Sequence, residues 1–206
     1  MKKFLLLTAA AASLSFNVLA NESHTIKQSF AAHNNQQLEI DFPVGRLDMT
    51  SYDGDKIEVS IRLEVQQNDS WFNSNVNLDE ITLDHHTKSD TLSLKITEKD
   101  LKQYWQVKVP SSIQLDIEVG VGNVKISELA NSADIEVGVG KVSIDTNEAD
   151  FKSISLESGV GTTSVKGLIN TATQHKKITR SETHYTGQGS HNIEVEVGVG
   201  NIQVRH

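Results

Sequence analysis

The sequence predicts an all-β protein, a β-solenoid (single-stranded β-helix) with coils of about 18–21 residues and an N-terminal strand-rich cap. Three observations support this prediction: a twelve-residue motif recurs, its apolar and polar residues alternate, and glycine interrupts each copy. Alternation with a period of two is typical of a strand with one buried face. One short repeat cannot bury its apolar row alone, so the copies must stack to form a core.

The motif occurs five times. The copies span residues 38–49, 115–126, 133–144, 154–165 and 193–204. The second turning position of each copy is a structural corner glycine, because a tight corner favours a residue without a β-carbon. These corner glycines are Gly45, Gly122, Gly140, Gly161 and Gly200. The last four are separated by 18, 21 and 39 residues, which predicts one degenerate coil around residues 178–185.

Stacking in register predicts inward ladders of equivalent side chains, spaced about 4.8 Å apart. One such ladder contains Val119, Val137, Ser158 and Val197. The competing architecture is an antiparallel sandwich of hairpins, because short strands with turn signals are typical of that fold too. The common inward register of all five copies favours the solenoid.

Residues 1–20 are predicted to be a signal peptide. Lys2 and Lys3 precede an apolar run, and small residues ending at Ala20 resemble a cleavage site. The run is shorter than the roughly 20 apolar residues that span a bilayer. The alternative is a buried N-terminal helix. Because the chain contains no cysteine, the sequence excludes a lipid-anchored lipoprotein and disulfides, and it predicts a periplasmic or secreted protein with no membrane span after cleavage.

The remaining residues 21–206 are predicted to form a single β-repeat domain. Residues 21–110 supply N-terminal strands and a cap, and residues 111–206 supply regular coils. Strand-like alternation covers residues 56–65, 91–96 and 104–110, and residues 68–78 are predicted to be an inserted loop. The aromatic residues Trp71, Phe72, Tyr104 and Trp105 form either an exposed binding patch or part of the cap core, and alternation favours the core for Trp105.

The charge balance limits the partners. The formal net charge is −8, and loss of Lys2 and Lys3 with the signal peptide makes it −10. Nucleic-acid binding requires clustered Lys and Arg, so the charge balance argues against that function, and anionic membrane surfaces are disfavoured. Cationic ligands and metal ions remain open as partners.

Aligned copies place five carboxylates at one outward position. They are Asp41, Glu118, Glu136, Glu157 and Glu196. Like charges on neighbouring strands are destabilising, so a column of calcium ions is one interpretation of this candidate acidic face. The simpler interpretation is a solvated face that keeps the stack of strands soluble, and we predict no metal site and no cofactor.

The sequence shows neither a zinc-binding pattern of histidines nor a known catalytic motif. The eight histidines include His85, His86, His175, His184 and His191, and their spacing is not that of zinc ligands, so we interpret them as surface residues. Nucleophile-elbow, metalloprotease and phosphate-loop motifs are missing, and cysteine nucleophiles are impossible. A repeated face also lacks the asymmetry of a catalytic cleft, so the sequence predicts that the protein is not an enzyme.

The last copy ends at Val204, just before the final two residues. If it is the terminal coil of the stack, its unpaired backbone groups are a template for strand addition. The sequence therefore predicts either that another segment of the chain folds back over this C-terminal edge, or that the edge self-associates or pairs with a partner.

The chain resembles the bacterial putative-adhesin family of exported proteins with glycine-punctuated β-strand repeats. The resemblance rests on Val-Lys-Val-Pro at residues 107–110, on the Val-Gly-Val-Gly units, and on Tyr-Thr-Gly-Gln-Gly at residues 185–189. It covers about residues 38–204 and implies a β-solenoid at the cell envelope, without assigning a functional residue. The expected function is that of a non-enzymatic, exported, adhesin-like envelope or surface protein with a binding or structural role, whose partner is an envelope or surface protein or glycan. The alternatives are an enzyme acting on envelope polysaccharide, and an envelope-stress accessory that binds cationic ligands.

Overall fold

The computed structural model describes residues 23–66, 77–98 and 100–206, which are all-β apart from one short 3-10 turn. The predicted signal peptide (residues 1–20) and most of the predicted loop at residues 68–78 lie outside the described residues. The strands are β1 Ser23–Ala31, β2 Gln37–Tyr52, β3 Lys56–Val65, β4 Asp84–Lys88, β5 Thr91–Lys95, β6 Leu101–Pro110, β7 Gln114–Leu129, β8 Ala133–Thr146, β9 Ser153–Lys166, β10 Thr173–Lys176, β11 Ser181–Thr186 and β12 Asn192–Arg205.

The five motif copies form strands β2, β7, β8, β9 and β12, here called the repeat strands. Each turns at its glycine corner, which divides it into a first arm and a second arm. In β7, Val119 precedes the corner and Val124 follows it, and both are buried in the same core. Residues five apart on a straight strand face opposite sides, so the corner reverses the alternation and lets both arms face the core.

The repeat strands lie parallel and in register, in the order β2-β7-β8-β12-β9. The predicted inward ladder forms, with Val197 between Val137 and Ser158. Because every repeat strand is parallel to its repeat neighbours, the alternative sandwich of antiparallel hairpins is wrong for this part of the chain.

The predicted C-terminal edge is also wrong. Strand β12 pairs with β8 on one side and with β9 on the other, so the last copy is an internal strand. The physical reason lies in the inward side chains. The inward residues of β12 are apolar and match those of β8, whereas β9 has Ser158 and Thr163 at core positions, and both of these are buried. The more apolar copy therefore occupies the interior of the stack.

The degenerate coil predicted around residues 178–185 does not form a parallel coil. Strand β11 pairs antiparallel with the first arm of β9, and β10 pairs with β11 as a hairpin. The hydroxyl of Thr163 lies 2.9 Å from that of Ser181 and 2.6 Å from that of Thr183, and all three side chains are buried. Buried hydroxyls need partners, so the polar core positions of β9 are matched to this hairpin instead of to another apolar copy.

The corner glycines allow neighbouring strands to approach closely. A β-carbon at Gly140 would lie 1.6 Å from the carbonyl oxygen of Gly122 on the adjacent strand. That distance is far inside van der Waals contact, so no larger residue fits without displacing the backbone. The corner therefore requires glycine because of the adjacent strand as well as the turn itself.

The N-terminal region extends the sheet beyond β2. Strands β6, β3 and β1 continue from its second arm, and the β4–β5 hairpin pairs with its first arm. The predicted strands at residues 56–65, 91–96 and 104–110 are confirmed as β3, β5 and β6. Among the described residues, no helix has the length and apolar character needed to cross a membrane.

Trp105 belongs to the core, as its alternation predicted. Its side chain is 1% exposed, its ring stacks on Phe42 with centroids 5.7 Å apart, and its indole nitrogen donates a 3.0 Å hydrogen bond to Gln103. Two of the other three aromatic residues of the predicted patch, Trp71 and Phe72, lie outside the described residues, and Tyr104 is half-buried beside Trp105 on β6. An exposed patch that includes Trp105 is therefore wrong.

The Tyr-Thr-Gly-Gln-Gly segment has a structural role around Asp150. The buried Tyr185 hydroxyl donates to the Asp150 carboxylate, which also accepts a 2.8 Å hydrogen bond from the Gln188 backbone N–H. These bonds lower the pKa of Asp150, because they stabilise its charged form. Gly189 lies so close that a β-carbon there would be 2.4 Å from the Asp150 carbonyl oxygen. The segment thus fastens the connection between β11 and β12 to the connection before β9.

Candidate functional site

The five carboxylates selected from the sequence lie in one outward ladder on the first arms of the repeat strands. Their order across the sheet is Asp41, Glu118, Glu136, Glu196 and Glu157. Neighbours are separated by one strand spacing, about 4.8 Å. Glu182 on β11 pairs with Glu157 and extends the ladder by one further carboxylate. We call this ladder, together with the one described next, the acidic face.

A second acidic ladder runs beside the first, and sequence reasoning missed it. Its members are Glu39, Asp116, Asp134 and Glu194. Each lies two residues before a member of the first ladder, so both point outward from the same arm. The signal was present in the repeat, because four of the five copies carry an acidic residue at this position and the fifth carries Ser155.

Asp116 is a partly buried carboxylate within the second ladder. Partial burial raises the pKa of its carboxyl group, and the neighbouring carboxylates of Asp134 and Glu39 raise it further. A 2.8 Å hydrogen bond from the Gln37 side-chain amide opposes this shift. The acidic face therefore includes one carboxylate whose ionised form is disfavoured by the fold.

Cations neutralise the two ends of the first ladder. Lys95 bonds to Asp41, and this hydrogen bond raises the pKa of the Lys95 ammonium. At the other end, Arg180 lies 2.8 Å from Glu157 and also pairs with Glu182. The three central glutamates take part in none of the ion pairs found among the described residues, and all three are exposed. They are Glu118, Glu136 and Glu196.

The acidic face is flat, and its side chains do not converge. In the part of the chain that the structure describes, no group of three His, Asp or Glu side chains is arranged to hold a metal ion. His175 pairs in register with Glu182, and His184 faces Ser155 on the adjacent strand, while His191 lies in the loop before β12. His85 packs against Phe30 with ring centroids 5.2 Å apart.

An apolar ridge borders the acidic face at the corners. The valine between the two turning positions of each copy points outward, and four of these valines are 47–50% exposed. The ridge consists of Val44, Val121, Val139, Val199 and Val160 in consecutive register. Simple alternation predicts an inward valine here, and the corner turns it outward instead.

The outer side of the second arms differs from the acidic face. Four repeat strands carry only amides, hydroxyls and lysines at its first two outward positions. These positions are Asn123, Lys141, Asn201, Thr162, Lys125, Ser143, Gln203 and Ser164. The two arms of one motif therefore present different chemistry, although their inward residues are equally apolar.

The geometry of the described residues does not include an assembled catalytic triad. The hydroxyl of Ser155 lies 3.5 Å from His184 Nδ1, which is longer than the 2.6–3.2 Å or so that joins a nucleophile to its base. No carboxylate is hydrogen-bonded to His184 among the described residues. The arrangement presents repeated surfaces and no catalytic cleft at this position.

These features define a class: an all-β repeat protein whose parallel strands present the same outward residues from one strand to the next. The chain belongs to the family described as the N-terminal domain of toast_rack, DUF2154, whose model matches residues 17–166. The matched range contains β1 to β9. No curated protein sequence matches the chain significantly.

The chain is similar to solved structures to different degrees. A putative cell adhesion protein from Clostridium sporogenes has a TM-score of 0.52 and 16% identity, with 88% of this chain and 99% of that chain covered. A putative adhesin from Bacteroides fragilis has a TM-score of 0.25 and 14% identity, covering 89% of this chain and 98% of that one. The first likeness supports the fold, and the second is too low in TM-score to support an argument.

Proposed function

We propose that this protein is an exported, non-enzymatic envelope or surface protein with an adhesin-like binding role. The observation that carries the proposal is the in-register ladder of outward Asp and Glu side chains, which makes an extended repeated surface. Export is supported by the signal-like sequence at residues 1–20. The similar structure from Clostridium sporogenes carries the name of a cell adhesion protein, which is consistent with this role.

We also propose that the repeat strands act as the coils of a β-solenoid. Only three residues separate the end of β7 at Leu129 from the start of β8 at Ala133, so the chain returns directly to the next parallel strand. Strand β12 departs from simple winding, because it enters between β8 and β9. The solenoid would hold the outward ladders at a fixed spacing.

The acidic face is the proposed binding surface. Its central glutamates are exposed, and none of them is in an ion pair among the described residues. Carboxylates repeated about every 4.8 Å suit an extended cationic partner, such as a basic peptide segment, better than a compact ligand. The adjacent valine ridge offers apolar contact to the same partner.

Neutralisation of the central glutamates tests this surface. The triple variant Glu118→Gln, Glu136→Gln, Glu196→Gln should weaken binding of an oligolysine peptide roughly tenfold or more at low salt, because three charge contacts are removed. Titration calorimetry measures the dissociation constant. Adherence of intact cells that display the variant should fall in parallel.

A matched control separates the acidic face from overall charge. Asp55→Asn, Glu128→Gln and Glu148→Gln remove the same number of charges at exposed positions outside the acidic face. This control should retain nearly full affinity. Equal weakening of oligolysine binding by both triple variants would show that only net charge matters. Unchanged affinity of the first triple variant would show that the acidic face is not the binding surface.

A further inference from the structure

A separate surface of the molecule is an open groove on the outer side of β1, β3, β6 and the second arm of β2. Its volume is about 810 Å³, and it continues into a second concavity on the same side of the sheet. Both concavities share Lys27, Asp48, Ser60 and Gln106. We call their combined surface the basic groove.

The basic groove is positively charged in a protein that is strongly negative. Its lining contains five cations, Lys27, Arg46, Lys56, Arg62 and Lys108. It contains two carboxylates, Asp48 and Glu58, and a third carboxylate, Glu64, pairs with its Arg62, so the net formal charge of the groove is +2, whereas the whole chain carries −8. The basic groove and the acidic face therefore carry net charges of opposite sign.

The cations differ in how they are paired. The ion pairs at the groove are Arg46–Asp48 at 2.8 Å, Lys108–Glu58 at 3.9 Å and Arg62–Glu64. Lys27 and Lys56 take part in none of the ion pairs among the described residues, and both are exposed. These two lysines therefore supply the uncompensated charge of the groove.

Neutral hydrogen-bonding groups lie between the cations. The Arg62 guanidinium lies over the Tyr104 ring, 4.3 Å from its centre, in a cation–π contact. Hydroxyl and amide side chains fill the spaces between the charged residues. They are Gln28, Ser29, Thr50, Ser60 and Gln106.

We propose that the basic groove binds a carboxylated polysaccharide. A polymer with one carboxylate per sugar unit and hydroxyls between the charges matches cations that are spread over four strands with hydroxyls and amides between them. A single phosphate requires donors that converge on one point, and this groove lacks that convergence. Single-stranded nucleic acid is disfavoured because, among the residues that the structure describes, Tyr104 is the only aromatic residue lining the groove apart from the buried Trp105.

The acidic face does not prevent this binding. It lies on the first arms, whereas the basic groove lies on the second-arm side of the sheet. At about 0.1 M salt the Debye length is about 10 Å, so exposed charges farther away than this are largely screened. The local charge of the groove then decides the interaction with an anionic chain.

A length series of oligogalacturonates tests the proposal with the full chain. Affinity should rise with oligomer length until the oligomer spans the groove, and it should collapse in about 1 M salt, where the Debye length is about 3 Å. The double variant Lys27→Gln, Lys56→Gln should raise the dissociation constant roughly five- to thirtyfold, because two unpaired cations are lost. Circular dichroism verifies that the variant is folded.

The matched control is Lys141→Gln, Lys166→Gln. These two exposed lysines belong to the second arms of the repeat strands, outside the groove, and neither is in an ion pair among the described residues. The proposal is overturned if this control weakens binding equally, if no oligogalacturonate binds, or if inorganic phosphate competes as well as a long oligomer. It is also overturned if only vesicles of anionic lipid bind. The acidic-face triple variant should retain oligogalacturonate binding, so a failure of one proposal does not decide the other.

Discussion

The two arms of each repeat strand share one core but present different outer faces. The outward positions of the first arms carry two ladders of Asp and Glu, with their central members unpaired among the described residues. The first two outward positions of the second arms carry amides, hydroxyls and lysines in β7, β8, β9 and β12, and the sheet beyond them forms the basic groove. Burial restricts the inward positions to apolar residues, whereas the outward positions of the two arms are free to differ.

The glycine corner allows the two arms of a repeat strand to have different outer faces. Because the alternation is reversed at the glycine pair, both arms direct their apolar residues into one core and their polar residues to two different surfaces. A straight strand of the same length has only one outer face. A substitution that disrupts the corner therefore tests whether the corner is what gives the two arms different outer faces.

The largest expected effect comes from Gly140→Ala. The added β-carbon would meet the Gly122 carbonyl oxygen at 1.6 Å, so the backbones of β7 and β8 must separate at the corner. We expect the free energy of unfolding to fall by roughly 3 kcal/mol or more. Urea unfolding followed by circular dichroism measures the change.

The adjacent residue provides the control for this prediction. Val139 is 47% exposed on the ridge, so Val139→Ala should change the free energy of unfolding by less than about 0.5 kcal/mol. If Gly140→Ala were equally mild, the corner would not depend on close approach of the strands, and the division into two faces would need another explanation.

A smaller change in the free energy of unfolding is expected from a substitution at Asp116. This change measures the electrostatic cost of the acidic face. Because the pKa of Asp116 is raised in the folded protein, folding favours the protonated form of this carboxyl group. The contribution of Asp116 to the free energy of unfolding therefore decreases as the pH rises from the ordinary pKa of Asp through the raised value. Asp116→Asn stays neutral and still offers an oxygen to Gln37. We expect it to stabilise the protein at neutral pH by less than about 1 kcal/mol, with the advantage shrinking in acid.

Urea unfolding across a pH series measures this difference. Glu148→Gln, at an exposed position outside the acidic face, should leave the pH profile unchanged. A destabilised Asp116→Asn variant at neutral pH would mean that the Gln37 contact outweighs the repulsion from Asp134 and Glu39.

The repeats themselves made much of the fold predictable. The alternation of residues predicted which side chains face inward, and the glycine positions predicted the corners, as Val119 and Gly140 show. The spacing of equivalent residues also predicted the in-register carboxylates from Asp41 to Glu157. These features depend on local pattern, which a repeated sequence displays directly.

The order of the strands was not predictable in the same way. Near-identical copies pair with similar energy in several orders, so the motif alone does not distinguish β12 beside β8 from β9 beside β8. The decision comes from Ser158 and Thr163, whose hydroxyls suit the β11 hairpin. The basic groove was missed for a related reason, because Lys27 and Lys108 are far apart in sequence and belong to no repeat.

The most direct test of the account concerns the order of the ladder that builds the acidic face. The chain has no cysteine, so two introduced cysteines form the only disulfide available. Glu136 and Glu196 lie on adjacent strands, whereas Glu136 and Glu157 are separated by β12 and therefore by about 9.6 Å, beyond the roughly 7 Å limit for a disulfide. Oxidation should cross-link Glu136→Cys, Glu196→Cys in high yield and leave Glu136→Cys, Glu157→Cys reduced. Cross-linking of the second pair without the first would place β8 beside β9 and contradict the account.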